Sequence, residues 1–224
     1  MNLTHKLIAK KSEYYPILGS ANSKQKYIEM DFTENNLELF NFDLTDTVVF
    51  TNYIFNKLEQ NSAQFGIGGY AENRAIYARS EHFNLEEEPR TIHLGLDLWA
   101  VAKTPIYCPF DGQIHSFKNN NNFGDYGPTI ILEHQIENQE FYTLYGHLSL
   151  ESIENQTIGK TIRKGDLFCN MGNYPENGDW PPHLHFQIIE NIGDYFGDFP
   201  GVCKISQKNF YLNNSPDPNI MFYK

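Results

Sequence analysis

Cysteine, arginine and long apolar runs are all in short supply in this chain. Three cysteines, Cys108, Cys169 and Cys203, among 224 residues are too few and too odd in number for a disulfide framework, and none forms a C-x-x-C metal pair. A reducing compartment is the simpler setting. No stretch approaches the roughly 18 uninterrupted apolar residues of a membrane span. The N-terminal residues Met1–Lys11 lack the apolar run of an export signal, so the expected location is the cytoplasm, away from membranes. Positive charge is scarce too: 17 Lys and Arg stand against 28 Asp and Glu, for a net charge of −11. Such a field repels phosphate backbones and excludes nucleic acid as a natural partner. What the chain does have is 40% apolar residues, enough for an ordinary core without staples, and eight histidines.

The length fits one catalytic-sized domain plus an accessory segment. Residues 1–40 are polar and turn-rich and read as an irregular lead-in. Between Asp46 and Gln60, Phe50, Ile54 and Leu58 recur at helical spacing behind a cap at Thr45 or Asp46, which predicts one helix. Gly66, Gly68 and Gly69 close that segment and the pattern then switches to period two. The expected organisation is an N-terminal accessory region over 1–65 and a catalytic domain over 66–224. Thr91–Ala100 reads as a single strand, with Ile92, Leu94, Leu96 and Leu98 on one face and Thr91, His93, Gly95, Asp97 and Trp99 on the other. Asp111-Gly112 predicts a hairpin joining Ile106–Phe110 to Gln113–Phe117. Thr129–His134 and Phe141–His147 flank a polar turn, and His183–Ile189 alternates again. The fold class expected is mainly β: antiparallel sheet or sandwich, shaping a groove, with about one helix in the N-terminal region.

The chemistry resides in the histidines. His93 and Asp97 share a strand face, but on a straight strand they would lie roughly 13 Å apart, so a shared metal requires a bend, which Gly95 between them permits. His183 and His185 project to one face while Leu184, Phe186 and Ile188 enter the core. His147 closes another strand after Tyr145-Gly146. Each signal alone has a bland explanation in a solvated strand face or a satisfied structural imidazole. Together they place four histidines and a carboxylate on β segments of one half-chain. Imidazole nitrogens with one carboxylate oxygen suit Zn²⁺, and a catalytic zinc needs three protein ligands and an open position. His93, Asp97 and His185 supply that set, leaving His147 and His183 to act on a water and on the developing oxyanion.

These residues resemble the lysostaphin/LytM-type zinc metallopeptidases, which cut peptide bonds in bacterial peptidoglycan. The resemblance covers roughly residues 90–190 and is carried in order by His93-Leu94-Gly95-Leu96-Asp97, Tyr145-Gly146-His147-Leu148-Ser149, Lys164-Gly165 with Gly172, and Pro182-His183-Leu184-His185-Phe186. It implies one zinc per chain on His93, Asp97 and His185, with His147 and His183 as the catalytic pair. Gly68-Gly69-Tyr70-Ala71-Glu72-Asn73-Arg74 and Gly124-Asp125-Tyr126-Gly127 are similar, more closely, to the peptidase-like domain fused to class III aminotransferases. The implied partner is a peptide, and the acidic balance favours a small soluble one over the anionic wall polymer.

Arginine occurs four times, and Arg74, Arg79 and Arg90 cluster before the first histidine strand. Internal ion pairing explains such a cluster, as does a bidentate grip on a peptide carboxylate by Arg74 or Arg79. Trp180, in the polar loop Asn173–Pro182, serves either as groove wall or as core cover. Arg74, Arg79, Tyr145 and Trp180 are the candidate substrate contacts. Two other classes compete: a cupin-type metal enzyme, which needs a histidine after His185 that the chain lacks, and a non-catalytic peptide- or partner-binding member of the same fold.

Overall fold

A computed structural model describes residues 2–19, 26–79, 83 and 88–222, without the side chains of residues 78 and 79. In chain order its elements are α1 (Leu3–Ala9), β1 (Tyr27–Met30), α2 (Thr47–Gln60), β2 (Phe65–Gly68), β3 (Arg90–His93) and β4 (Leu96–Trp99). There follow β5 (Pro105–Tyr107), β6 (Gly112–Asn120), β7 (Gly127–Ile136), β8 (Gln139–Gly146), α3 (Glu151–Glu154) and β9 (Thr161–Ile162). The last are β10 (Leu167–Asn170), β11 (His183–Ile189), β12 (Val202–Lys204) and α4 (Lys208–Asn214). Eight strands form one sheet in the order β1-β2-β4-β11-β8-β7-β6-β9, antiparallel except for the parallel β1–β2 pair, and β10–β5 and β12–β3 form two small ribbons. The protein is mainly β, as the alternation predicted. Among the described residues no helix is long and apolar enough to cross a membrane.

Helix α2 forms where its period placed it. The Asp46 carboxylate accepts from the Val48 and Val49 amides, satisfying two orphan donors of the first turn, and Phe50, Tyr53, Ile54 and Leu58 are buried. The lead-in is more ordered than its composition suggested. Leu3 and Leu7 of α1 enter the main core, and β1 adds the outermost strand beside β2. The expected division between residues 65 and 66 lies inside β2, which pairs with β1 on one side and β4 on the other.

Two expectations are corrected. Thr91–Ala100 is not one strand: β3 ends at His93 and pairs with β12, whereas β4 starts at Leu96 and lies between β2 and β11 in the large sheet. Asp111-Gly112 does not make a hairpin, because β5 pairs with β10 while β6 pairs with β7 and β9. Tertiary pairing overrides the turn signal there, and the Asp111 carboxylate accepts instead from the Lys164 amide. The β7–β8 hairpin does form, closed by Glu137 and Asn138 with φ of 46° and 63°, the left-handed pair that a two-residue turn requires.

Period-two alternation then sorts the central strands. Leu96 and Leu98 of β4 and Leu184, Phe186 and Ile188 of β11 enter the main core, so Asp97, Trp99, His183 and His185 emerge on the opposite face. Within the sheet, His134 is buried with its Nδ1–H donating to the Asp111 carbonyl (2.9 Å) and its Nε2 against the Thr143 hydroxyl (2.7 Å). Burial pulls its pKa down to about 4, partly offset by the Asp111 carbonyl. The unfolded chain therefore binds a proton between pH 6.5 and 4 that the folded protein refuses, so stability falls as pH falls through that window. We expect the wild type to lose more stability than His134→Gln between pH 7 and 4, by up to about 3 kcal/mol, measured by urea unfolding at each pH. Parallel curves for the two proteins would refute this.

Candidate metal centre

The break at Leu94-Gly95 creates the site. It folds the chain so that His93 Nε2 lies 3.2 Å from Asp97 Oδ1, where a straight strand would hold them roughly 13 Å apart. The β4–β11 register sets His185 opposite Asp97, with His185 Nδ1 3.2 Å from the same Oδ1 and 3.0 Å from His93 Nε2. Gly95 has to be glycine: a Cβ there would sit 2.6 Å from the His185 ring and 2.8 Å from the Phe186 carbonyl oxygen. All three side chains are buried.

The outer partners of these groups determine which atoms face one another. His93 Nδ1–H donates to the Gly69 carbonyl at 2.8 Å, leaving the Nε2 lone pair directed inward. His185 is held the other way round: its Nε2–H donates to Gln187 Oε1 at 3.0 Å, so Nδ1 turns inward. Gln187 is oriented in turn by donating its amide to the Pro200 carbonyl and the Ser215 hydroxyl. Asp97 offers Oδ1 to the centre while Oδ2 accepts from Arg74 Nη1. Burial would raise the Asp97 pKa, but His93 and Arg74 outweigh it and hold the carboxyl well below its usual range. Burial, with a contribution from Arg74, lowers His93 to about 4. With their other polar atoms committed outward, His93 Nε2, His185 Nδ1 and Asp97 Oδ1 thus aim at one point, an arrangement that a cation would satisfy. The N, N, O donor set and edges of 3.0 to 3.2 Å fit zinc, which bonds such atoms at about 2.0–2.2 Å.

His147 and His183 lie beside this triangle. His147 follows β8 at φ 62°, a left-handed conformation that is uncommon outside glycine and is fixed here by bonds from its amide to the Tyr126 carbonyl and from Gly172 to its own carbonyl. Its Nδ1–H donates to the Asn177 carbonyl at 2.8 Å, and His183 Nδ1–H donates to the Pro181 carbonyl at 2.8 Å. Both rings therefore keep an unprotonated Nε2, and His183 Nε2 lies 4.0 Å from Asp97 Oδ1. The His183 ring is stacked on Trp99, with centroids 4.0 Å apart, and meets the His147 ring at a tilt of 34°, 4.1 Å away. Burial lowers the His183 pKa to about 4 and takes His147 well below its usual value, with His183 adding to the effect, so both are neutral at pH 7.

A cavity of about 180 Å³ opens onto Asp97, His147, His183 and His185. Tyr77, Tyr126, Trp180 and the segment 198–202 wall it in, and His147 and His183 are only 6% and 2% exposed. Trp180 lines the cavity and also packs into the core beside Phe50 and Tyr77, so both places the sequence left open for it are occupied. Arg74 borders the cavity, but its donors are turned to Glu72, Asp97, Tyr77 and Gly69. Tyr145 is placed elsewhere: it is fully buried in the main core, with its hydroxyl on Thr143. The Arg79 side chain lies outside the described residues. Gln187 and Tyr126 were missed as site residues. Gln187 sits two residues after His185 on the same strand face, a spacing that was available in the sequence.

Residues 91–195 match the family model for peptidase family M23. Among solved structures, the chain is similar to the catalytic domain of the antimicrobial peptidase lysostaphin from Staphylococcus simulans, with 24% identity, 54% of this chain and 80% of that one covered, and a TM-score of 0.38. It is also similar to a zinc-containing peptidase from Vibrio cholerae, at 23% identity over 44% of this chain and 27% of that one, with a TM-score of 0.33. A third likeness is to Csd3 from Helicobacter pylori, at 22% identity over 56% of this chain and 32% of that one, with a TM-score of 0.36. The chain thus spans about a quarter of the Vibrio protein and a third of Csd3. No curated protein sequence matches it. The stretch that matches this family model contains the ordered motifs from His93 to His185; Gly69 and Arg74 lie before it, and Pro200 and Ser215 after it.

The tight approach at Gly95 has a measurable cost. Gly95→Ala should destabilise the protein by about 1–3 kcal/mol, because neither the His185 ring nor the Phe186 backbone can retreat without disturbing β11. An unchanged urea midpoint would show that the approach is looser than described.

Proposed function

We propose that the protein is a zinc-dependent metallopeptidase that hydrolyses a peptide bond in short peptides, those derived from peptidoglycan included. The observation that carries this reading is the convergence of His93 Nε2, His185 Nδ1 and Asp97 Oδ1, each with its other polar atom already committed. Zinc held by these three atoms would supply a Lewis acid for the scissile carbonyl and acidify a water.

The remaining steps belong to the chain itself. His147 and His183, neutral and with Nδ1–H anchored on backbone carbonyls, present Nε2 atoms that accept a proton from the attacking water and return it to the leaving amine. Once protonated, an imidazolium at either position donates to the oxyanion of the tetrahedral intermediate. The stacking of His183 on Trp99 and its tilted contact with His147 hold its ring in place for this. The cavity of about 180 Å³ beside these groups has room for a short stretch of peptide, and the net charge of −11 favours a small soluble one over the anionic wall polymer.

Elemental mass spectrometry of wild type and Asp97→Ala, purified side by side, tests the metal. We expect about one zinc per chain in the wild type and little in the variant. The absence of metal, or zinc retained without Asp97, would overturn the reading in favour of a non-catalytic binding protein. His147→Ala and His183→Ala should each lower kcat on a cleaved short peptide by about 10²- to 10⁴-fold while keeping the zinc.

A further inference from the structure

The segment between β2 and β3 reaches into the metal centre from outside the M23 stretch. Its Gly69 carbonyl accepts from His93 Nδ1 at 2.8 Å and from Arg74 Nη2 at 3.3 Å. Arg74 itself is buried, with its side chain 1% exposed. Its Nε donates to Glu72 Oε2 at 2.7 Å, while Nη1 donates to Asp97 Oδ2 and, at 3.2 Å, to the Tyr77 hydroxyl. The guanidinium lies over the Phe32 and Tyr77 rings, 5.3 and 5.8 Å from their centroids. Glu72 is fixed in turn, its Oε1 accepting from the Phe32 amide at 3.2 Å. Room for the guanidinium comes from Gly68, where a Cβ would fall 2.6 Å from Arg74 Nη2.

We propose that Arg74 is a positioning residue for the metal centre: by occupying Asp97 Oδ2 it restricts this carboxylate to one ligand oxygen and keeps a coordination position open for water or substrate. The proposal rests on the zinc-site reading above. A carboxylate can bind a metal through one oxygen or both, and the choice alters the number of positions left over. A planar guanidinium braced between Glu72 and Asp97, with rings on its faces, has a single orientation in which to cap Oδ2. With these donors committed, Arg74 works through Asp97 and leaves the grip on a peptide carboxylate to other groups.

Cobalt-substituted protein reports coordination number through its visible absorption, so the test uses Co²⁺ and Zn²⁺ directly. We expect Arg74→Met to bind metal but with an altered cobalt band, zinc affinity lowered about 10- to 100-fold in chelator competition, and a reduced kcat on a short peptide at nearly unchanged KM. Arg74→Lys keeps the charge without the fork, and its cobalt band should fall between the two. A wild-type band and wild-type zinc affinity in folded Arg74→Met would overturn the proposal. If Arg74→Met does not fold, Arg74→Lys decides: a wild-type band there overturns the proposal and a shifted one supports it. A wild type that binds neither metal overturns the zinc reading and this one together, whereas metal binding with an unchanged Arg74→Met removes only the role of Arg74.

Discussion

His93 Nε2, His185 Nδ1 and Asp97 Oδ1 converge to within about 3.2 Å of one another in the protein interior, where acceptor atoms repel unless a proton or a cation lies among them, and most of this architecture serves that convergence. The chain breaks its strand at Leu94-Gly95 so that two residues on one nominal strand face can meet. It keeps a glycine where the His185 ring needs the space. It also places β11 between β4 and β8, so that the third acceptor arrives from a neighbouring strand in fixed register.

The same logic governs tautomers. Four histidines surround the centre, and each has one nitrogen pinned: three by backbone carbonyls and His185 by the Gln187 amide oxygen. A carbonyl is a reliable tether, because it accepts only and belongs to a backbone already held in place. The pinned nitrogens leave two lone pairs facing Asp97 Oδ1, those of the proposed zinc ligands, and two more on His147 and His183, the pair proposed for proton transfer. Arg74 fits the pattern from the opposite side. Burying a guanidinium is costly, and flanking it with Glu72 and Asp97 and stacking it on two rings offsets that cost.

Much of the site could be read from the sequence because its signals are short-range. His-x-His on an alternating strand fixes one face, and a glycine between His93 and Asp97 marks a possible bend. Helix α2 and the β7–β8 hairpin were legible for the same reason: a cap, a period and a polar turn lie within a few residues of one another. Long-range pairing was not legible. Asp111-Gly112 carries a strong local turn signal, but the partners of β5 and β6 are β10, β7 and β9, which no window around the turn contains. Arg74 was noticed as part of a cluster, yet its attachment to Asp97 spans 23 residues and depends on a glycine two strands away from the histidines. Tyr145 looked like a pocket residue from its place beside His147, but its strand parity turns it into the core.

The stretch that matches the M23 family model and the physical unit do not coincide. Of the groups that orient the metal triangle, Gly69 and Arg74 come before residue 91, while the Pro200 and Ser215 groups that steady Gln187 come after residue 195. A fragment trimmed to the limits of the recognised stretch would keep every proposed ligand and both flanking histidines and still lose the scaffolding that aims them. For this protein, modular excision and domain grafting therefore have to follow the hydrogen-bond network, and the flanks are components of the centre itself.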